Sequence, residues 1–254
     1  MINIEEYKYK YETHLHTKES SACAKDDAVS MAKAAKENGY AGIFITNHAW
    51  GGNTCVDRSL PWKEWVRQFS LPYYEAKKWA DENDFTVMYG YESGYNGTEF
   101  LIYGVSPEWM MEHEELHDAD VENQLRIIHE GGGMVIHAHP FREEFYIPEI
   151  RLFPDFIDGV EAVNATHSNH LSTSHNVHEF DVKAIDYALK YNKPMTAGSD
   201  VHTTFLFGGG VMTKEPVKCA QDYIDLIMSD KMYLLTDGDR IYDRYGELLD
   251  EKIY

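Results

Sequence analysis

Short apolar runs alternate along the chain with stretches of helical periodicity. Tyr9 to Thr17 reads as a first strand, ending at His14-Leu15-His16-Thr17. Further strands are expected at Gly42 to Thr46, Phe85 to Tyr91, Phe100 to Val105, Met134 to His139, Gly159 to Asn164 and Pro194 to Ser199. Between them, Ala28, Met31, Ala32 and Ala35 lie at helical spacing, and Gly39 is placed to stop that helix. Pro61 opens a Trp- and Tyr-rich helix running to about Asn83. Helices also fit residues 121–130, closed by three glycines, 181–191 and about 220–228. The acidic stretch 108–122 suits one or two helical turns, and residues 237–254 read as a charged surface tail. Strands alternating with helices indicate a parallel sheet or barrel.

A chain of 254 residues, 43% of them hydrophobic, suits one large α/β barrel or two small domains. No repeat, low-complexity segment or Pro/Gly/Ser linker interrupts it, which favours one domain over residues 1–254. There is no apolar run long enough for a membrane span, and residues 1–6 do not read as a secretory signal. Cys23, Cys55 and Cys219 are odd in number and widely spaced, which points to a reducing, cytoplasmic setting rather than a disulfide framework. The net charge of −20 disfavours binding along a long nucleic acid, which needs a basic surface. A small anionic substrate remains compatible, because bound cations set the local charge.

Metal-type side chains recur at the C-terminal ends of the expected strands: His14 and His16, His48, Glu92, His139, Asp200 and His202. In a parallel barrel those ends face one mouth. Side chains two apart on a strand share a face, so His14 and His16 can meet one ion. Imidazole and carboxylate together suit Zn, Mn or Fe rather than Ca or Mg.

The segments His14-Leu15-His16-Thr17, Thr46-Asn47-His48, Gly90-Tyr91-Glu92, Ala138-His139-Pro140-Phe141 and Gly198-Ser199-Asp200-Val201-His202 resemble, in order, the motifs of the PHP (polymerase and histidinol phosphatase) family. The resemblance covers about residues 8–211. It implies a distorted TIM-like (β/α)7 barrel with two or three divalent metal ions that hydrolyses phosphoesters. It places His14, His16 and Asp200 on a first metal, Glu92 as a bridge to a second held by His139, and His48 and His202 on a third. Glu92 and Asp200 would then serve the chemistry directly.

The pattern departs from that family at three places. The usual acid of the second motif is Asn47, whose neutral amide suits hydrogen bonding. Cys23 stands near a position where relatives carry Asp or His, and fits either a thiolate ligand or a small buried residue. Glu99 stands where relatives often place a histidine. His137 shares a strand face with His139 and fits either a ligand or a group that orients one. Arg142 and Lys18 are the candidates to grip a substrate phosphate, and Asn164 to shape the pocket floor. The His-rich loop 166–178 reads as a solvated loop, with a lid that lends one histidine as the alternative. Together these features suggest a metal-dependent phosphoesterase for a small phosphorylated metabolite. The alternatives are hydrolysis of an ester, lactone or amide, and a non-catalytic metal-binding module.

Overall fold

The apolar runs become strands of one curled sheet, and the amphipathic stretches become helices that cover it. The computed structural model describes residues 2–252. In chain order it contains β1 (Tyr9–Glu12), α1 (Ala28–Glu37), β2 (Gly42–Ile45), α2 (Trp62–Asp81), β3 (Thr86–Tyr95), β4 (Thr98–Tyr103), α3 (Pro107–Met111), α4 (Val121–Glu130), β5 (Met134–Ala138) and β6 (Gly159–Asn164). These are followed by α5 (Ala165–Ser168), α6 (Glu179–Lys190), β7 (Met195–Gly198), β8 (Gly210–Thr213), α7 (Ala220–Ile227), β9 (Leu234–Thr236), β10 (Arg240–Asp243) and β11 (Leu248–Glu251).

β1, β2 and β3 run parallel, as do β5, β6 and β7. The sheet curls until β7 meets β1. Beyond the regular strands, Leu15 pairs in parallel with Val201. The His16 amide donates to the Val201 carbonyl, and the Val201 amide to the His14 carbonyl. The result is a distorted TIM-like barrel of seven strands. β8 to β11 continue from β1 as an antiparallel extension. The stretch 237–252, expected as a surface tail, thus carries two strands of the sheet.

One strand breaks the parallel repeat. β4 is antiparallel to both β3 and β5, joined to β3 by the tight turn Asn96-Gly97. Both turn residues have left-handed backbones (φ 51° and 88°), the geometry a two-residue hairpin requires. With no helix between β3 and β4, the regular β/α alternation fails there. The reversal brings the start of β4, and with it Glu99, to the same mouth as the ends of its neighbours.

Burial on both faces explains the near-continuous apolar character of the strands. In β2, Phe44 packs against Tyr103 and Tyr223, with ring centroids 4.7 and 5.0 Å away. Ile43 and Ile45 point to the other side, into a cluster with Met31 of α1 and Ala76 and Ala80 of α2. Among the described residues, no helix is long and apolar enough to cross a membrane.

Leu15 is fully buried between the two metal-type histidines and packs in that second cluster with Val201. Its burial holds the seam where the barrel closes. Leu15→Ala is expected to lower stability by about 2–5 kcal/mol in urea unfolding, as for other large-to-small core changes. An unchanged midpoint would show that the seam is held elsewhere.

Candidate metal centre

His14 and His16 follow β1 at the seam, and both are fully buried. His14 Nε2 lies 3.3 Å from Glu92 Oε1 and 3.5 Å from Asp200 Oδ1. His16 Nε2 lies 3.5 Å from Glu92 Oε2 and 3.3 Å from Asp200 Oδ1. His48, just after β2, places Nδ1 2.7 Å from Glu92 Oε2, and His139, just after β5, places Nε2 3.1 Å from Glu92 Oε1. Glu99 reaches within 3.7 Å of His48 and 3.6 Å of His139. His202 stacks on His16 with centroids 4.4 Å apart.

These atoms form four overlapping groups, each with ligand atoms within 4.8 Å of one another: His14/His16/Glu92, His14/His139/Asp200, His48/Glu92/Glu99 and His16/His48/His202. Several of the atoms are orphans. His14 Nε2, His16 Nε2, His48 Nδ1 and Glu92 Oε2 are buried without a hydrogen bond. Buried acceptors are rarely left so. Converging lone pairs on imidazole and carboxylate are what a divalent cation needs, so the residues fit one.

Hydrogen bonds behind the cluster fix which ring nitrogen faces inward. His14 Nδ1 pairs with Glu161 Oε1 at 2.8 Å, and His16 Nδ1 with Ser21 Oγ at 3.1 Å. The Ser21 hydroxyl itself donates to Asn47 Oδ1 at 2.9 Å, so it accepts from His16. In the neutral form of each ring the hydrogen is spent outward and Nε2 keeps its lone pair, the arrangement common behind metal-bound histidines.

Electrostatics follow from this crowding. Burial pushes the Glu92 carboxyl up, but the charges of His14 and His48 and the His139 hydrogen bond outweigh it and hold it well below the usual range. Asp200, despite burial, is held well below by His14 and Arg142. Burial and the Glu92 charge raise Glu99. Burial lowers His14, yet Glu161, Asp200 and Glu92 raise it well above the ordinary value. His16, buried beside His48 and His202, is lowered well below. With no cation, protons on His14 and His48 balance the carboxylates; a cation would take their place.

Backbone strain marks the same residues. His139 and Asp200 adopt positive φ (28° and 52°), a region costing roughly 1–3 kcal/mol for a non-glycine residue. Glu161 Oε2 accepts the His139 amide, and Glu12 Oε1 accepts the Ser199 amide, and both bonds hold the strained turns.

No protein-family model matches the chain, and no curated protein sequence does. Solved structures do. A two-domain protein from Bacteroides vulgatus, described as containing a predicted PHP-like metal-dependent phosphoesterase, aligns at TM-score 0.63 and 15% identity, over 92% of this chain and 64% of that one. The fold is PHP-like. An amidohydrolase from Chromobacterium violaceum aligns at TM-score 0.51 and 16% identity, over 87% and 98% of the two chains. A lesion-specific endonuclease from Pyrococcus furiosus aligns at 0.56 and 12%, over 89% and 57%. This chain therefore spans less than two thirds of the first and third of these proteins.

Within the PHP-like barrel the remaining candidates divide. Cys23 is partly buried and interacts with His48 and His202; burial pushes its thiol up, but those two histidines outweigh it and bring it down to about 6. Asn47 does not enter the cluster. Its amide accepts from the Thr17 amide and Ser21 and donates to Thr17 Oγ1, so it acts by hydrogen bonding. Asn164 is fully buried and caps α5 while donating to Glu161, which makes it a scaffold residue rather than a pocket floor. Lys18 is half exposed and pairs with Asp27 at the start of α1, away from the role of gripping phosphate. Among the described residues His137 enters none of the four ligand groups. Its ring stacks on Phe100 at 4.9 Å and meets Phe153 and Tyr187, because β5 turns sharply only at His139.

Two features went unread in the sequence. Glu161, buried in the middle of apolar β6, joins His14, the His139 amide and Asn164. An acid inside an otherwise apolar strand was the available signal. The segment 166–178 is not simply solvated: His167 is buried and bonded to Arg142 and Asp181. That pairing depends on α6 folding back and has no local signature.

Two tests follow from these environments. Burial, with the neighbouring His139, lowers His137 from an unfolded value near 6.5 to about 3. Between those values the unfolded chain binds one more proton, so this group withdraws stability as pH falls, by about 1.4 kcal/mol per unit. His137→Phe is expected to flatten that part of the acid unfolding profile; an unchanged slope would refute the assignment. His16 meets both Glu92 and Asp200, whereas His48 meets Glu92 and Glu99. His16→Ala is expected to lose more activity and bound metal than His48→Ala, and equal losses would contradict this.

Proposed function

We propose that the protein is a metal-dependent phosphoesterase acting on a small phosphorylated metabolite. The observation that carries this is the convergence, at one barrel mouth, of orphaned imidazole and carboxylate atoms beside the buried guanidinium of Arg142. His14, His16 and Asp200 would hold one divalent ion. Glu92 would be shared with a second, alongside His139 and Glu99. His48, His202 and Cys23 would serve a third. Two or three ions of Zn, Mn or Fe suit this donor set. Bound there, they would acidify water enough to supply hydroxide near neutral pH and offset charge growing on phosphoryl oxygens.

The chain's own residues supply the rest. Glu161 and Ser21 hold the His14 and His16 rings in the inward-facing tautomer. Arg142 Nη2 bonds Asp200 Oδ2 at 2.7 Å, so a permanently cationic side chain stands beside the proposed ligands. There it can bind an oxyanion and orient it. The acidic composition, with a net charge of −20, supports a small substrate over a long nucleic acid. All three cysteines are free, in keeping with a reducing cytoplasm.

One observation favours a second reading, hydrolysis of an ester, lactone or amide. Glu99 adds a third, partly buried carboxyl group to Glu92 and Asp200, and an extra acidic group there suits a neutral carbonyl better than a phosphate dianion.

The test is a panel of phosphomonoesters, phosphodiesters, carboxylic esters, lactones and amides, assayed with metal-replete enzyme. Phosphate release is expected, lost on chelation, and reduced at least about a hundredfold in His14→Ala and Asp200→Ala with the fold retained. Turnover of carbonyl compounds alone would replace the leading reading with the second. No turnover of either class would leave a non-catalytic metal-binding module.

A further inference from the structure

Arg142 is held from several directions, and the hold selects one edge of its guanidinium. Nε donates to His167 Nε2 at 3.1 Å. Nη2 donates to Thr166 Oγ1 at 3.1 Å and pairs with Asp200 Oδ2 at 2.7 Å. Among the described residues Nη1 has no hydrogen-bond or ion-pair partner, and Arg142 lines the depression beside Glu99 and His139. A guanidinium has only donors, so His167 can bond it only through an unprotonated Nε2.

What keeps that nitrogen unprotonated lies one step further back. His167 Nδ1 donates to Asp181 Oδ1 at 2.7 Å, which places the ring hydrogen away from Arg142. Asp181 is itself fixed, accepting the Asn164 amide at 3.3 Å and the Ser168 hydroxyl at 2.9 Å. Thr166 Oγ1 donates to Asn164 Oδ1 at 2.6 Å, so its remaining acceptor capacity faces Nη2. Burial and the Arg142 charge also hold the His167 ring well below its ordinary value. All these groups are buried or nearly so, and they come from the end of β6, from α5 and from the first turn of α6, outside the metal-type cluster.

We propose that Asp181 and His167 are a positioning pair that fixes Arg142 so that its Nη1 edge is offered to an oxyanion of the substrate. The inference rests on the phosphoesterase reading for the identity of that anion. The geometry of the guanidinium does not depend on it. A substrate oxygen at Nη1 would meet a donor whose orientation is already set, and less freedom is then lost on binding.

The test uses metal-loaded full-length protein, with inorganic phosphate as the probe. His167→Asn can still donate to Asp181 but is too short to accept from Arg142. His167→Gln can place an amide oxygen where Nε2 stood. With folding and metal content unchanged, His167→Asn is expected to weaken phosphate binding about tenfold by calorimetry, and to raise KM for p-nitrophenyl phosphate more than it lowers kcat. The Arg142 Nε–H signal in nitrogen-edited NMR is expected to exchange slowly in wild type and fast in His167→Asn. His167→Gln should restore most of both effects. If His167→Asn binds phosphate as wild type does, or keeps the slow signal, the pair does not position Arg142 and the proposal fails. If it loses metal instead, the pair acts through Asp200 and the proposal also fails. Wild-type protein that binds phosphate with this His167 dependence but cleaves no phosphoester would sink the phosphoesterase reading and leave the pair standing.

Discussion

The structure turns on one constraint: Glu92 and Asp200 are ionised carboxylates with almost no access to water. Burying a charge is costly unless it is paired and hydrogen-bonded. Here the compensation comes from four imidazoles around Glu92 and a guanidinium on Asp200. Yet Glu92 Oε2 and the facing nitrogens of His14, His16 and His48 make no hydrogen bonds. Atoms that converge without bonding one another describe a site arranged for a further positive charge.

That arrangement explains features of the fold that packing alone would not. Two of the converging residues, His139 and Asp200, stand at left-handed backbone positions. Gly198 leaves no room for a side chain, since a Cβ there would lie 2.6 Å from His14 Cβ and 2.9 Å from Glu161 Oε1. The antiparallel β4 departs from the barrel repeat and delivers Glu99 to the mouth. Glu161 ties the ends of β1, β5 and β6 together through His14, the His139 amide and Asn164. Strain at the site is borne by hydrogen bonds from the strands beside it.

Much of this was legible from the chain. Strand ends carrying His14, His16, His48, His139, Asp200 and His202 could be recognised because buried parallel strands leave a clear apolar signal and the polar residues interrupt it; Glu92, expected at a strand end, lies inside β3, which runs on to Tyr95 in the hairpin with β4. Helix α1 followed from its apolar spacing and stop glycine, α2 from its opening proline and α4 from its closing glycines. The direction of β4 was not legible, because an apolar strand reads alike in either direction; only the Asn96-Gly97 turn marked the hairpin. His137 misled for a related reason. Period-two reasoning put it on the face of His139, but the left-handed turn at His139 takes the two side chains apart. His167 and Asp181 lie fourteen residues apart and meet only in three dimensions. The short β8, β10 and β11 gain their stability from pairing on an existing sheet edge, so their sequences need little β-character of their own.

The PHP-like fold by itself leaves the substrate open, since structures sharing it include an amidohydrolase and an endonuclease. The site residues narrow it instead, through the chemistry of a metal centre. The most direct measurement is crystallographic: anomalous diffraction across metal absorption edges, from protein purified without chelator. A peak is expected in contact with His14 Nε2, His16 Nε2 and Asp200, with a second shared through Glu92. A cluster with no anomalous peak, its imidazoles and carboxylates joined by direct hydrogen bonds or water, would contradict it.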